Sequence, residues 1–144
     1  MPLAASIEVP GGQNDAKAFR VKLRIVQQGG DTSSLLNPDM GTPSAAMNWP
    51  WSQETYQTSL LISFGYLSIS VTDETGQSLP QQPIQTWATP VLQTRLELKT
   101  GDSLDFEIPI GNFYELESGR TYSIVFEFGD QAMKVAASGR IVVP

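Results

Sequence analysis

The chain predicts an all-β fold, a Greek-key sandwich of seven to nine short strands. Three observations carry that prediction. Apolar residues recur at period two, not 3.6, over most of the 144 residues. Turns rich in glycine, proline and aspartate punctuate those runs. Leu116-Glu117-Ser118-Gly119-Arg120-Thr121-Tyr122 then leads directly into alternating Ile124, Phe126 and Phe128. A leucine, a glycine three residues on and a tyrosine three beyond fit a strand-to-strand corner, where the buried tyrosine hydroxyl bonds back to the backbone just upstream. A small closed barrel is the alternative. The corner, placed before the next-to-last strand, favours the sandwich.

The elements follow in order. Ile7 and Val9 predict a short first strand ended by Pro10-Gly11-Gly12. Phe19, Val21, Leu23 and Ile25 alternate with Arg20, Lys22, Arg24 and Val26, which gives a strand with one core face and one largely charged face. Residues 28–57 then lack a clear period and hold three prolines and three glycines. Loops this long are uncommon in compact domains and are often functional. Alternation resumes at Leu60, Ile62 and Phe64, then changes parity to Leu67, Ile69 and Val71. A β-bulge or bend at Gly65-Tyr66 would restore inward pointing. Asp73-Glu74-Thr75-Gly76 reads as a turn. Residues 79–90 contain Pro80, Pro83 and Pro90, and so read as an irregular edge or crossover carrying Ile84 and Trp87. Leu92, Leu96 and Leu98 precede the turn at Lys99-Thr100-Gly101-Asp102, and Leu104, Phe106, Ile108 and Ile110 follow it. After the corner, the strand 122–128 turns at Gly129-Asp130. Met133, Val135, Ile141 and Val143 complete a last strand with a bulge expected at Ser138-Gly139. The pattern shows no helix of three turns, no repeat and no low-complexity segment.

Length predicts one domain over 1–144 with a single core. With 40% apolar and 17% charged residues the composition is globular. Net charge is −6, and nine Lys and Arg spread along the chain do not make a nucleic-acid surface or an anionic-membrane surface. The absence of Cys and His removes disulfides, thiolate nucleophiles, imidazole bases and imidazole-ligated metals. Carboxylates, Tyr, Lys and Ser/Thr remain for chemistry. No run approaches the ~20 apolar residues of a membrane span. Residues 1–10 have no basic n-region and no signal-peptide core. Both a bacterial cytoplasmic protein and an exported mature form behind a start methionine fit the chain, so the compartment stays open.

From about residue 96 to 143 the chain resembles immunoglobulin-like or fibronectin-type-III-like sandwiches, on Leu116, Gly119 and Tyr122 with strands on either side. Ser118 stands where such corners often carry proline. The missing cysteines exclude the antibody-type inter-sheet disulfide, and Trp87 is not assigned to the antibody core tryptophan. Leu98, Gly101 and Asp102, followed by Leu116, Gly119 and Tyr122, also look like small bacterial proteinase-inhibitor-type and peptidase-associated sandwiches. That likeness implies an inhibitor or accessory role, although fold resemblance does not transfer function. The first two thirds of the chain resemble no particular family.

The leading site candidate is Met47, Trp49, Pro50 and Trp51, with Tyr56 nearby. Proline between two indoles would display them with little entropy left to lose on binding, and exposed aromatics anchor interfaces. Against this, large aromatics are mostly buried, and the segment can instead plug one end of the sandwich. Arg20, Lys22 and Arg24 form a basic stripe, and Asp105 and Glu107 an acidic one. In an immunoglobulin-like order their strands are neighbours and the stripes face each other; a solvated sheet face is the plainer account. Asp102, Asp105 and Glu107, or Asp73 and Glu74, lack EF-hand spacing and read as turn and surface carboxylates. Gly11-Gly12 and Gly29-Gly30 precede no helix and are turns, not phosphate loops.

The expected function is therefore a non-enzymatic protein-binding domain, without catalytic residues or cofactor, using the 28–57 loop. A peptidase or a cell-surface protein would suit such a domain as partner. The alternative is a carbohydrate-binding module using Trp49, Trp51 and Trp87. An enzyme would need a carboxylate cleft. Open sheet edges also allow an edge-strand dimer.

Overall fold

Where the sequence alternates, the backbone is mostly extended. The computed structural model describes residues 3–30, 32–39, 41, 52–83 and 94–144. Within them lie β1 (Leu3–Glu8), β2 (Val21–Gln27), β3 (Ser33–Leu36), α1 (Gln53–Ser63), β4 (Leu67–Asp73), β5 (Arg95–Leu98), β6 (Ser103–Ile108), β7 (Thr121–Gly129) and β8 (Lys134–Val142). The strands form three antiparallel sheets, ordered β1-β2-β6, β3-β5 and β4-β7-β8. The fold is all-β in character, and its layering is compatible with a β-sandwich.

The core follows from period-two side chains. Val21, Leu23 and Ile25 of β2 and Ile124, Phe126 and Phe128 of β7 are buried, while the residues between them are more exposed. Phe106 of β6 meets Phe128 of β7 with ring centroids 5.1 Å apart, so aromatic contact joins the two larger sheets. On one side β1 lies against β8; Gly139 sits under Ile7, close enough that a Cβ there would be 3.7 Å from the isoleucine side chain. On the other side, α1 touches both β6 and β4, an outer strand of each sheet. Tyr56, Leu60 and Leu61 of the helix enter the same buried cluster. The helix thus closes the side of the stack that β1 and β8 leave open.

That helix corrects the expectation that no helix of three turns exists. It also replaces the strand expected at Leu60, Ile62 and Phe64. Ser52 caps its start, accepting a hydrogen bond from the Thr55 N–H at 3.2 Å. At its end the Gly65 N–H donates to the Ile62 carbonyl at 3.0 Å, and the Tyr66 N–H to the Leu61 carbonyl at 2.8 Å. This is the paired bonding of a Schellman stop, and Gly65 takes the left-handed conformation it requires, with φ +77°. The parity change at Gly65-Tyr66 is therefore a helix giving way to a strand, not a bulge.

Other boundaries shift for local reasons. The aperiodic stretch 28–57 contains β3 and the start of α1. Phe19 is buried but precedes β2. Ile110 is buried in a short 3-10 turn, Ile110–Asn112. Ser138 and Gly139 pair regularly with Val125 and Ile124, so β8 has no bulge there. Ile84, Trp87 and Leu92 lie outside the described residues.

The corner forms as expected. Tyr122 is buried, and its hydroxyl accepts the Glu117 N–H at 2.9 Å. The Gly119 N–H donates to the Val143 carbonyl at 2.7 Å and ties the corner to the end of the chain. The charged stripes also meet, with Lys22 opposite Glu107 and Arg24 opposite Asp105. The close ion pairs run diagonally, however, with Arg20–Glu107 at 3.3 Å and Arg24–Glu8 at 3.9 Å, and Arg20 also reaches Glu54 of α1 at 3.2 Å. Exposed pairs of this kind contribute at most about 1 kcal/mol each.

Removing the corner hydroxyl leaves the Glu117 N–H without its acceptor. Tyr122→Phe is expected to lower unfolding free energy by about 1–2 kcal/mol in chemical denaturation. A variant as stable as the parent would contradict the structural role of the corner.

Candidate functional site

Several connections gather at one end of the sheets. The Gln27 N–H donates to the Asp102 carbonyl at 3.0 Å, and the Gly101 N–H to the Gln27 carbonyl at 2.9 Å. These bonds join the end of β2 to the β5–β6 turn. The Gly129 N–H donates to the Tyr66 carbonyl at 2.9 Å and joins the β7–β8 turn to the end of α1. Arg95 of β5 ties β3 to the β7–β8 turn: it donates to the Ser34 hydroxyl and carbonyl, each at 2.8 Å, and pairs with Asp130.

Between the end of α1 and the β7–β8 turn lies a groove of about 430 Å³, lined by Phe64, Gly65, Tyr66, Asp130, Gln131, Ala132 and Lys134. That is the size of a small-ligand or side-chain site. One wall is aromatic. The Phe64 and Tyr66 rings lie 6.2 Å apart and within 23° of parallel. Phe64 is 45% exposed, an unusual position for a ring whose apolar face could have been buried.

The opposite wall is a fixed turn. Gly129 has φ +132°, and a Cβ there would fall 2.1 Å from the Met133 carbonyl oxygen, so only glycine lets the strand turn this tightly. Asp130 Oδ1 accepts the N–H groups of Ala132 and Met133 at 3.0 and 3.1 Å, while Oδ2 faces Arg95. Burial pushes the Asp130 carboxyl up, but the hydrogen bonds from Arg95, Met133 and Ala132 outweigh it and hold the group below the ordinary carboxylate range. Asp130 is thus ionised and engaged in building the wall. The Lys134 ammonium has no hydrogen-bond or ion-pair partner among the described residues.

Of the residues singled out in the sequence, Met47, Trp49, Pro50 and Trp51 lie outside the described residues, as does Trp87. Tyr56 sits on α1 at 5% exposure within the core cluster. Phe64, Tyr66, Gln131 and Lys134 were not legible as one site. Alternation assigns Phe64 to a core strand, and nothing local brings the β7–β8 turn beside it.

The other charged cluster is structural. Arg120 reaches Glu74 at 2.6 Å, Glu117 at 3.1 Å and Asp73 at 3.7 Å, and its guanidinium lies 6.0 Å from the centre of the Tyr122 ring. Hydrogen bonds from the Thr75 hydroxyl and then the Gln77 N–H hold Asp73 low. The Thr121 N–H and then Arg120 do the same for Glu74. Among the described residues, no group of three or more His, Cys, Asp or Glu is placed to hold a metal ion. No helix among them is long and apolar enough to cross a membrane. On β4, the Ile69 and Val71 carbonyls are taken by the Tyr114 hydroxyl at 3.0 Å and the Leu79 N–H at 2.9 Å, which covers that ladder edge.

No protein-family model matches the chain, and no curated protein matches it.

Among the described residues, three carboxyls held below the ordinary range, Asp73, Glu74 and Asp130, are expected to contribute to the acid limb of stability. Their contribution is full above the ordinary carboxylate pKa of about 4 and is lost as pH falls through the lowered values. Denaturation midpoints followed from about pH 7 down to about pH 2 are expected to fall on the acid side. Glu74→Gln should lower stability near neutrality and flatten the acid limb. An unchanged limb would show that Glu74 is not one of its sources.

Proposed function

We propose that this chain is a non-enzymatic binding domain of immunoglobulin-like architecture that grips a protein partner with the end of the sandwich carrying Phe64. Strand order supports the architecture. Labelling β1, β2, β4, β6, β7 and β8 as strands A, B, C, E, F and G gives sheets A-B-E and C-F-G, the order of immunoglobulin-type sandwiches. In that arrangement the B–C and F–G connections share an end, the one that variable domains use for recognition. Here the B–C connection, residues 28–66, contains β3 and α1 and finishes at Phe64 and Tyr66, and the F–G turn is 130–133.

The observation that carries the reading is the half-exposed Phe64 stacked on Tyr66 beside a turn with little freedom to move. Interfaces are anchored by a few aromatic residues in sites ordered before binding. Met47, Trp49, Pro50 and Trp51 belong to the same connection and would extend the contact. An inhibitor or accessory role toward a peptidase or a cell-surface protein fits such a surface. A second reading, a carbohydrate-binding module, is favoured by the flat aromatic pair flanked by polar side chains.

Affinity capture from lysate and culture fluid separates the two readings. A protein held by the parent chain is expected to be held about tenfold or more weakly by Phe64→Ala, and weakly again by the Trp49→Ala/Trp51→Ala pair. Phe64→Ala should unfold at the parent's temperature. Retention of every partner by both folded variants would end the protein-binding reading, and binding of soluble glycans would then favour the second.

A further inference from the structure

We propose that the groove between Phe64, Tyr66 and Lys134 is a peptide subsite that reads an aromatic side chain followed directly by a carboxylate. This rests on the protein-binding reading and names what the partner must present.

The ring specificity comes from the aromatic wall. Phe64 stacks on Tyr66 and is itself about half exposed, so the pair presents an open aromatic surface to the groove. An incoming ring can lie against them in offset or edge-on contact and bury apolar area at the same time. Both walls are already fixed, one by the helix stop at Gly65 and the other by the Gly129 turn, so little order is lost when the groove fills.

The charge specificity comes from counting partners. Asp130 is matched by Arg95 and by two backbone N–H groups, so the pair is locally neutral and built into the wall. Lys134 lines the same groove with no partner for its ammonium among the described residues. The exposed Lys134 ammonium is hydrated, with no anion against it among the described residues. A cationic side chain would meet Lys134 as a like charge. A neutral sugar would gain nothing from that charge. A carboxylate one residue beyond a stacked ring supplies the missing partner. The chain as a whole carries −6, so the carboxylate is read at short range and is not steered in from a distance.

The test is a titration of the full ¹⁵N-labelled chain with blocked tetrapeptides, followed by amide chemical shifts. The probes are acetyl-Gly-Phe-Asp-Gly-amide, its Asn and Ala analogues (Phe-Asn and Ala-Asp), and methyl β-glucoside. The Phe-Asp peptide is expected to shift the amides of 64–66 and 129–134. The Phe-Asn peptide should bind about fivefold more weakly, as expected for loss of one exposed ion pair. Lys134→Gln should erase the difference between Asp and Asn peptides. Phe64→Ala should lose the ring peptides while keeping the parent's thermal midpoint. Equal affinity for Asp and Asn peptides, no localised shifts at millimolar peptide, or shifts with the glucoside alone would each overturn the proposal. If the peptides fail while Phe64→Ala still releases a captured partner, this subsite falls and the binding reading stands. If the peptides bind but no captured protein depends on Phe64, the binding reading falls instead.

Discussion

The way α1 stops decides what the rest of the molecule can present. The helix has to bury Tyr56, Leu60 and Leu61 to close the side of the sheets between β6 and β4. It then has to hand the chain to β4 within three residues, Phe64, Gly65 and Tyr66. Only a left-handed residue at Gly65 lets the last helical carbonyls find donors and the backbone reverse direction at once. The cost of that abrupt stop is that Phe64, at the helix cap, stays exposed with Ser63 and Gly65 between the buried Leu61 and Leu67. The aromatic wall is thus a by-product of closing the core. The Gly129 turn docks against it through the Tyr66 carbonyl.

The two ends of the stack are built differently. At the corner end, Tyr122, Arg120, Glu74, Glu117 and Asp73 satisfy one another, and little there is left to bind. At the opposite end, Arg95 and Asp130 neutralise each other, the Phe64 ring stacks on Tyr66 yet stays about half exposed, and the Lys134 ammonium has no partner among the described residues. The oxygens of the acidic cluster are already engaged, whereas the exposed Phe64 ring and Lys134 ammonium are open to an incoming group.

Much of this was legible in the chain, and the misses have physical causes. The corner could be read because Leu116, Gly119 and Tyr122 act within seven residues, and a local hydrogen bond leaves a local signature. The opposition of Lys22 and Arg24 to Glu107 and Asp105 could be anticipated once strand order was guessed, since period two fixes which side chains share a face. The helix could not be read from periodicity. Leu60, Ile62 and Phe64 alternate by coincidence, and half of the helix's buried positions are Thr55, Thr58 and Ser59, which break any apolar stripe. The better signal was its punctuation, Ser52 as a cap and Gly65 as a stop, which do not depend on hydrophobicity. The groove was illegible for a different reason: its walls are more than sixty residues apart in sequence, at Phe64 and Asp130, and meet only because β4 pairs with β7.

The central claim is that recognition happens at the Phe64 end and not on the sheet faces or at the corner. Backbone hydrogen exchange of the whole chain, with and without a saturating captured partner, tests it most directly. The account predicts added protection at 64–66 and 129–134, with the β6 ladder and the 116–122 corner unchanged. Protection confined to the β2–β6 face or to the corner, with the Phe64 end unaffected, would contradict it.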